Sequence, residues 1–83
     1  MKAEVVIINQ TRGMIAAHSE EGEYVILEIL GGYEIDKGDI VSHNDFYSMG
    51  YEEYYNLSKQ YSFSVYVQNV CGNIEQAKRQ CFL

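Results

Sequence analysis

Short runs of β-branched and aromatic residues recur along this chain, and each run ends at a polar or glycine-containing turn. The first run, residues 3–9, contains four consecutive apolar residues, which is typical of a strand that is at least partly covered on both faces. A second run, residues 14–18, follows Gly13. A series of many short strands with glycine-rich turns predicts a small antiparallel barrel or sandwich.

The run at residues 24–30 reads Tyr-Val-Ile-Leu-Glu-Ile-Leu, and its alternate positions separate into two faces. The uniformly apolar face, which we expect to point into the core, carries Val25, Leu27 and Ile29. The opposite face carries Tyr24, Ile26, Leu30 and the charged Glu28. Because a carboxylate favours water, Glu28 turns this second face toward solvent.

Four further elements follow. A strand is predicted from Ile40 to residue 44, whereas residues 52–58 fit either a short strand or a helical turn. Residues 61–70 form a strand whose expected core face carries Phe63, Val65 and Val67 and whose outer face includes Tyr66. Asn73 is typical of a helix N-cap, so a short C-terminal helix should begin there. The apolar stripe of this helix consists of Ile74, Ala77 and Cys81.

Two places in the chain resemble OB-fold domains of the S1 and cold-shock types. One is the break at Arg12-Gly13, where the first strand of an OB-fold bends, and the other is Gly38-Asp39-Ile40-Val41, which looks like the Gly-Asp-x-Val sequence that leads into the third strand. The resemblance implies that residues 1–83 form one all-β domain, a five-stranded antiparallel Greek-key barrel with a short C-terminal helix. Residues 3–9 and 14–18 would then be halves of one bent strand, or two nearly continuous strands, and both would pair with residues 24–30. An SH3-like barrel, which uses similar glycine–aspartate turns, is the alternative.

The charge balance weighs against the nucleic-acid binding that the resemblance implies. The 83 residues include 12 Asp and Glu but only 6 Lys and Arg, for a net charge of −6, and the turn at residues 19–23 holds three glutamates. Single-strand binders instead present a positive groove with stacking aromatics. No apolar stretch approaches the ~20 residues of a membrane span, and the N-terminus lacks a secretory pattern. We therefore expect a cytoplasmic protein without a membrane partner.

The sequence contains no spacing that is typical of a metal or catalytic centre. His18, His43, Cys71 and Cys81 are all at least 10 residues apart, whereas ligand pairs in structural zinc sites are usually two to five residues apart. We therefore expect no metal, no cofactor and no enzymatic activity. Cys81, on the helix stripe, is expected to be buried and reduced, and the spacing leaves a Cys71–Cys81 disulfide open.

The function most compatible with these observations is a small binding or adaptor module. Its ligand would be another protein, a second copy of the chain, or a neutral or cationic surface. The predicted binding residues are Tyr24, Ile26, Leu30 and Tyr66. Two explanations compete for the face that holds the first three of them, which is either covered by the C-terminal helix or open to a partner. The alternative function, implied by the OB resemblance, is binding of RNA or single-stranded DNA.

Overall fold

Six strands close into one antiparallel barrel, and a single helix packs on its outside. The structure, a computed structural model, describes residues 1–82. The elements are β1 (Lys2–Asn9), β2 (Met14–Ser19), β3 (Tyr24–Ile29), β4 (Ile40–Ser42), β5 (Gly50–Asn56), β6 (Tyr61–Cys71) and α1 (Ile74–Phe82). The strands follow the order β1-β2-β3-β6-β5-β4 around the barrel, and β4 pairs with β1 to close it. A mostly β fold with a short C-terminal helix is therefore confirmed.

The prediction of five strands with a bent first strand is wrong. Residues 3–9 and 14–18 belong to two separate strands, because β1 and β2 pair antiparallel from Ala3 opposite Ser19 to Asn9 opposite Met14. The chain reverses at residues 10–13, where Gly13 adopts a left-handed φ of 66°, a conformation that glycine reaches without a Cβ clash. As a result β2 lies beside β3, while β1 lies between β2 and β4.

The alternate apolar side chains of β3 and β6 that the sequence predicts to face inward do form the interior of the barrel. Val25 and Leu27 are fully buried, and Ile29 packs against the same core from a partly buried position. Residues 50–56 form a strand rather than a helical turn. The core also contains the three predicted β6 residues and three large or β-branched side chains from neighbouring segments, namely Phe63, Val65, Val67, Val41, Phe46 and Tyr54.

A second, smaller core lies between α1 and the outer surface of β1, β2 and β3. Its buried side chains are Ile7, Met14, Ala16, Ile26, Cys71, Ala77 and Cys81. The helix begins as predicted, because Asn73 Oδ1 accepts a hydrogen bond from the Gln76 amide at 2.9 Å. At the other end, Asn9 Nδ2 donates to the Cys81 carbonyl at 2.9 Å. The helix therefore covers one side of the barrel and leaves the β6–β5–β4 side open.

Asp39 anchors the long connection between β3 and β4. Its Oδ2 atom accepts hydrogen bonds from Asn56 Nδ2 at 2.9 Å, from the Asp36 amide at 3.0 Å and from Lys59 Nζ at 2.5 Å. Burial opposes ionisation of this carboxyl, but the hydrogen bonds from Lys59 and Asn56 outweigh burial and hold the pKa of Asp39 below its usual value. Val41, two residues later, is fully buried, so the Gly-Asp-x-Val segment has a structural role in this barrel.

The Asp39 network predicts a pH-dependent contribution to stability. Asp39→Asn should lower the free energy of unfolding by about 1–3 kcal/mol at neutral pH, because it weakens charge-assisted hydrogen bonds at a buried site. Asp36→Asn is the matched control. Its side chain, 65% exposed, also meets Lys59 Nζ at 2.9 Å, and an exposed ion pair contributes less than about 1 kcal/mol.

The sign of the pH effect follows from the lowered pKa of Asp39. The contribution is complete above the pKa of the unfolded chain and is lost as the pH falls through the folded value. The difference between the parent and Asp39→Asn in urea unfolding should therefore shrink below about pH 4. An equal difference at pH 7 and at pH 3 would contradict this account.

Candidate functional site

The side of the barrel that α1 leaves uncovered carries exposed aromatic side chains. Tyr51 on β5 lies directly opposite Tyr66 on β6, and their rings pack edge to face with centroids 4.9 Å apart. Tyr51 is 77% exposed, and Tyr55, on the same face of β5, is 38% exposed. We define Tyr51, Tyr55, Tyr66 and the neighbouring Leu30 as the tyrosine face.

Strand pairing explains how these side chains come together. Tyr55 lies opposite Ser62, and Glu53 lies opposite Ser64, so small hydroxyl side chains separate the aromatic rings. The Leu30 amide donates to the Ser64 carbonyl at 3.0 Å, which places Leu30 beside β6. The result is a surface of tyrosine and serine side chains on two paired strands, β5 and β6.

Acidic side chains accompany the tyrosines. Glu28 lies in register with Tyr66, and Glu53 lies between Tyr51 and Tyr55 along β5. The structure describes both β5 and β6 in full, and neither strand contains a lysine or an arginine. The electrostatic potential over the tyrosine face is therefore set by carboxylates and by the negative faces of aromatic rings.

The four predicted binding residues fall into two groups. Leu30 and Tyr66 lie on the tyrosine face, where both are partly exposed. Ile26 is 0% exposed because it lies in the second core with Ala77 of α1. Tyr24 packs against the edge of that core and stacks on His18, with ring centroids 4.4 Å apart. The helix thus covers the Tyr24–Ile26 end of the β3 face and leaves the Leu30 end open.

Sequence patterns alone do not identify Tyr51 and Tyr55 as surface residues, because residues 52–58 fit both periods. The positions of Tyr54, Tyr55 and Leu57 cause the ambiguity, because they fit a helical period as well as a strand. In the structure Asn56 is fully buried, and its amide is satisfied by Asp39 and by the Lys59 backbone amide, at 2.9 Å each. The outward face of Tyr51, Glu53 and Tyr55 becomes apparent only from the strand pairing, which places Tyr54 and Asn56 inside.

A second candidate lies between α1 and the barrel. A groove of about 650 Å³ runs along the helix, with Arg12 and Arg79 among its lining residues. Its other lining residues are Met14, Ile26, Glu28, Gln68, Asn69 and Gln80. We call it the arginine groove. It differs from the tyrosine face because its lining is rich in amide and guanidinium groups and contains no aromatic side chain.

A smaller cavity of about 310 Å³ opens at one end of the barrel, between the β1–β2 turn and the β3–β4 connection. Ile8, Ile15 and Ile29 line it and also contact the main core. Tyr33 stands at its rim and stacks on Tyr61, with ring centroids 5.9 Å apart. Because its walls continue the barrel core, we assign this cavity to packing at the barrel end.

A hydrogen-bonded cluster is formed by His43, Glu52 and Ser48. In the active sites of enzymes, side chains such as histidine and glutamate transfer protons. Here His43 Nε2 bonds Glu52 at 2.8 Å, and Ser48 Oγ donates to the same carboxylate at 2.9 Å. The Asp45 amide donates to His43 Nδ1 at 2.9 Å, so both ring nitrogens are engaged. The imidazole has no free lone pair to accept a substrate proton, and the cluster instead holds residues 43–48 against β5.

Cys71 and Cys81 are buried, and both are free thiols. The two residues therefore do not form the disulfide that their spacing left open. Burial raises the pKa of Cys71 and raises that of Cys81 to about 11, which keeps both thiols protonated at neutral pH. Within residues 1–82, no three His, Cys, Asp or Glu side chains are arranged to hold a metal ion.

Three comparisons, with protein-family models, with curated proteins and with solved structures, gave no significant match. Along the part of the chain that the structure describes, no helix has the length and apolar character needed to cross a membrane. The candidate sites therefore rest on their own geometry and chemistry.

Ile26 and Leu30 share one face of β3 and its end, but α1 buries only Ile26. Substitutions of these two residues should therefore change the free energy of unfolding by different amounts. Ile26→Ala should lower the free energy of unfolding by about 2–4 kcal/mol, because it leaves a cavity in the second core. Leu30→Ala, on the open part of the same face, should cost less than about 1 kcal/mol. Urea denaturation measures both values. A small and equal loss in the two variants would mean that α1 does not cover Ile26 in solution.

Proposed function

We propose that this protein is a non-enzymatic binding module whose tyrosine face docks on a cationic surface of another protein. The observation that carries the proposal is the Tyr51–Tyr66 pair, in which Tyr51 is 77% exposed. Exposed aromatic clusters on small acidic proteins are associated with interaction sites.

The chemistry of the tyrosine face supports protein recognition. Tyrosine provides a large contact area and a hydroxyl group, and it loses only two side-chain torsions on binding. Ser62 and Ser64 add small hydroxyl groups, which can hydrogen-bond to a partner, beside the rings. Since the surface lies on two paired strands, little conformational entropy is lost when a partner docks.

The charge of the same surface supports a cationic partner. Glu28 and Glu53 flank the tyrosines, and the whole chain carries a net charge of −6. A lysine or arginine of the partner would gain from these carboxylates and from the ring faces. Complementary charge also speeds encounter and rejects acidic surfaces.

We also propose that the barrel is related to OB-like Greek-key barrels, although it has six strands. The spatial order β4-β1-β2-β3, with a long connection at residues 30–39, supports a Greek-key description. The Gly38-Asp39-Ile40-Val41 segment supports the same relation, because it leads into the strand that closes the barrel. The free thiols of Cys71 and Cys81 support a reducing compartment such as the cytoplasm.

Peptide selection tests the proposed protein-binding function. We expect random peptides selected on the immobilised protein to carry net positive charge. Their affinity should fall at least about tenfold in Tyr51→Ala or Tyr66→Ala, because central aromatic residues dominate binding energy. Tyr47→Ala is the matched control: it removes a tyrosine that is 56% exposed but lies outside the strands, and the affinity should change less than about twofold. Selection of neutral or acidic peptides, or equal losses in all three variants, would contradict the proposal.

The same charge argument predicts weak binding of nucleic acid, the alternative that the OB resemblance implies. At about 0.15 M salt, the dissociation constant for single-stranded oligonucleotides that lack terminal phosphates should be roughly 10⁻⁴ M or larger. This value is the weak end of non-specific association. A fluorescence titration measures this constant. Submicromolar binding would favour an RNA or single-stranded DNA partner over a protein.

A further inference from the structure

We infer that the arginine groove binds a small organic phosphate. Arg12 and Arg79 are the only arginines of the chain, and both line this groove. Carboxylates outnumber basic groups 12 to 6, yet neither arginine forms a salt bridge within residues 1–82. Lys59, by contrast, meets two carboxylates. Two guanidinium groups therefore remain available on one concave surface.

A single side chain ties together the two segments that carry these arginines. Asn9 Oδ1 accepts the Arg12 backbone amide at 3.4 Å, and Asn9 Nδ2 donates to the Cys81 carbonyl at 2.9 Å. The β1–β2 turn is thereby attached to the last turn of α1, where Arg79 lies. Although the two arginines are far apart in sequence, the fold holds their backbones at the same groove.

The opposite wall is shaped by a β-bulge. Leu27 pairs with Val67 and Ile26 pairs with Asn69, so Gln68 is an extra residue in β6. Consequently two consecutive amide side chains, Gln68 and Asn69, are exposed toward the groove. Bulges often redirect side chains beside functional sites.

Hydrogen bonds hold these amide groups in place. Gln68 Nε2 donates to Glu28 Oε1 at 3.0 Å, and Asn69 Nδ2 donates to Gln80 Oε1 at 3.1 Å. Two guanidinium groups and one carboxylate line the groove, so its lining residues carry a net charge of +1. The lining of the groove is thus cationic, although the chain carries a total charge of −6.

The combination of groups selects the ligand class. A phosphate monoester is a dianion with three free oxygens, and it can accept hydrogen bonds from two guanidinium groups at once. The amides and Glu28 can bond hydroxyl or ring nitrogen groups of the organic part, beside the mostly buried side chain of Met14. The volume of about 650 Å³ lies within the range of small-molecule sites. Phosphodiesters carry one charge per phosphate and fit the two arginines less well.

Calorimetric titration of the full chain tests this inference. The probes are the four common nucleoside 5′-monophosphates and glucose 6-phosphate, with inorganic phosphate as the reference. At least one organic phosphate should bind about tenfold tighter than inorganic phosphate, and Arg12→Gln or Arg79→Gln should reduce that affinity about tenfold or more. Lys78→Gln is the matched control, because Lys78 is an exposed cation on the same helix but does not line the groove. Its effect should stay below about threefold.

Three outcomes would overturn the inference. They are the absence of any organic phosphate that binds tighter than inorganic phosphate, an equal loss in Lys78→Gln and Arg79→Gln, and tighter binding of an oligonucleotide than of every monophosphate. If an arginine variant fails to fold, NMR of the parent chain gives the answer. Side-chain amide signals of Gln68, Asn69 and Gln80 should shift on ligand addition, and shifts confined to the tyrosine face would contradict the assignment.

Discussion

Closure of the barrel depends on a strand of only three residues. β4 pairs with β1 from Lys2 opposite Ser42 to Glu4 opposite Ile40, and these few contacts join the two ends of the sheet. Asp39 strengthens the junction, because its carbonyl accepts the Val5 amide at 2.9 Å while its carboxylate binds the β5–β6 turn. Without this junction, β1 and β4 would each expose an unpaired edge, which is a known aggregation hazard.

Closure also decides which surfaces are free. A closed six-stranded barrel has an outer surface on every strand, whereas α1, the only helix within residues 1–82, has nine residues and contacts β1, β2 and β3. The covered side forms a second core that contains Ile26. The other side stays in contact with water, and its aliphatic and aromatic side chains become the tyrosine face. The position of one short helix therefore divides the barrel surface into a side that α1 covers and a side that carries the tyrosine face.

Local alternation was sufficient to predict the interior of β3 and β6, since a strand in water must separate its apolar and polar faces. The same reasoning could not decide whether Gly13 bends a strand or reverses it, because both need a left-handed residue and differ only in which strands pair afterwards. Likewise, Leu30 and Ile26 are equivalent by alternation. Only the packing of Ala77, far along the chain, buries one and not the other. Long-range contacts thus account for the strand pairing that alternation did not predict and for the burial of Ile26.

Charge is distributed unevenly around the barrel, and one residue belongs to both proposed sites. The α1 side holds Arg12 and Arg79, whereas carboxylates accompany the tyrosine face on the other side. Glu28 lies at the boundary, because it is in register with Tyr66 and also lines the arginine groove. A cation that neutralises Glu28 from the tyrosine face would make the groove more positive and strengthen its attraction for an anion. The two surfaces are therefore linked electrostatically through a single carboxylate.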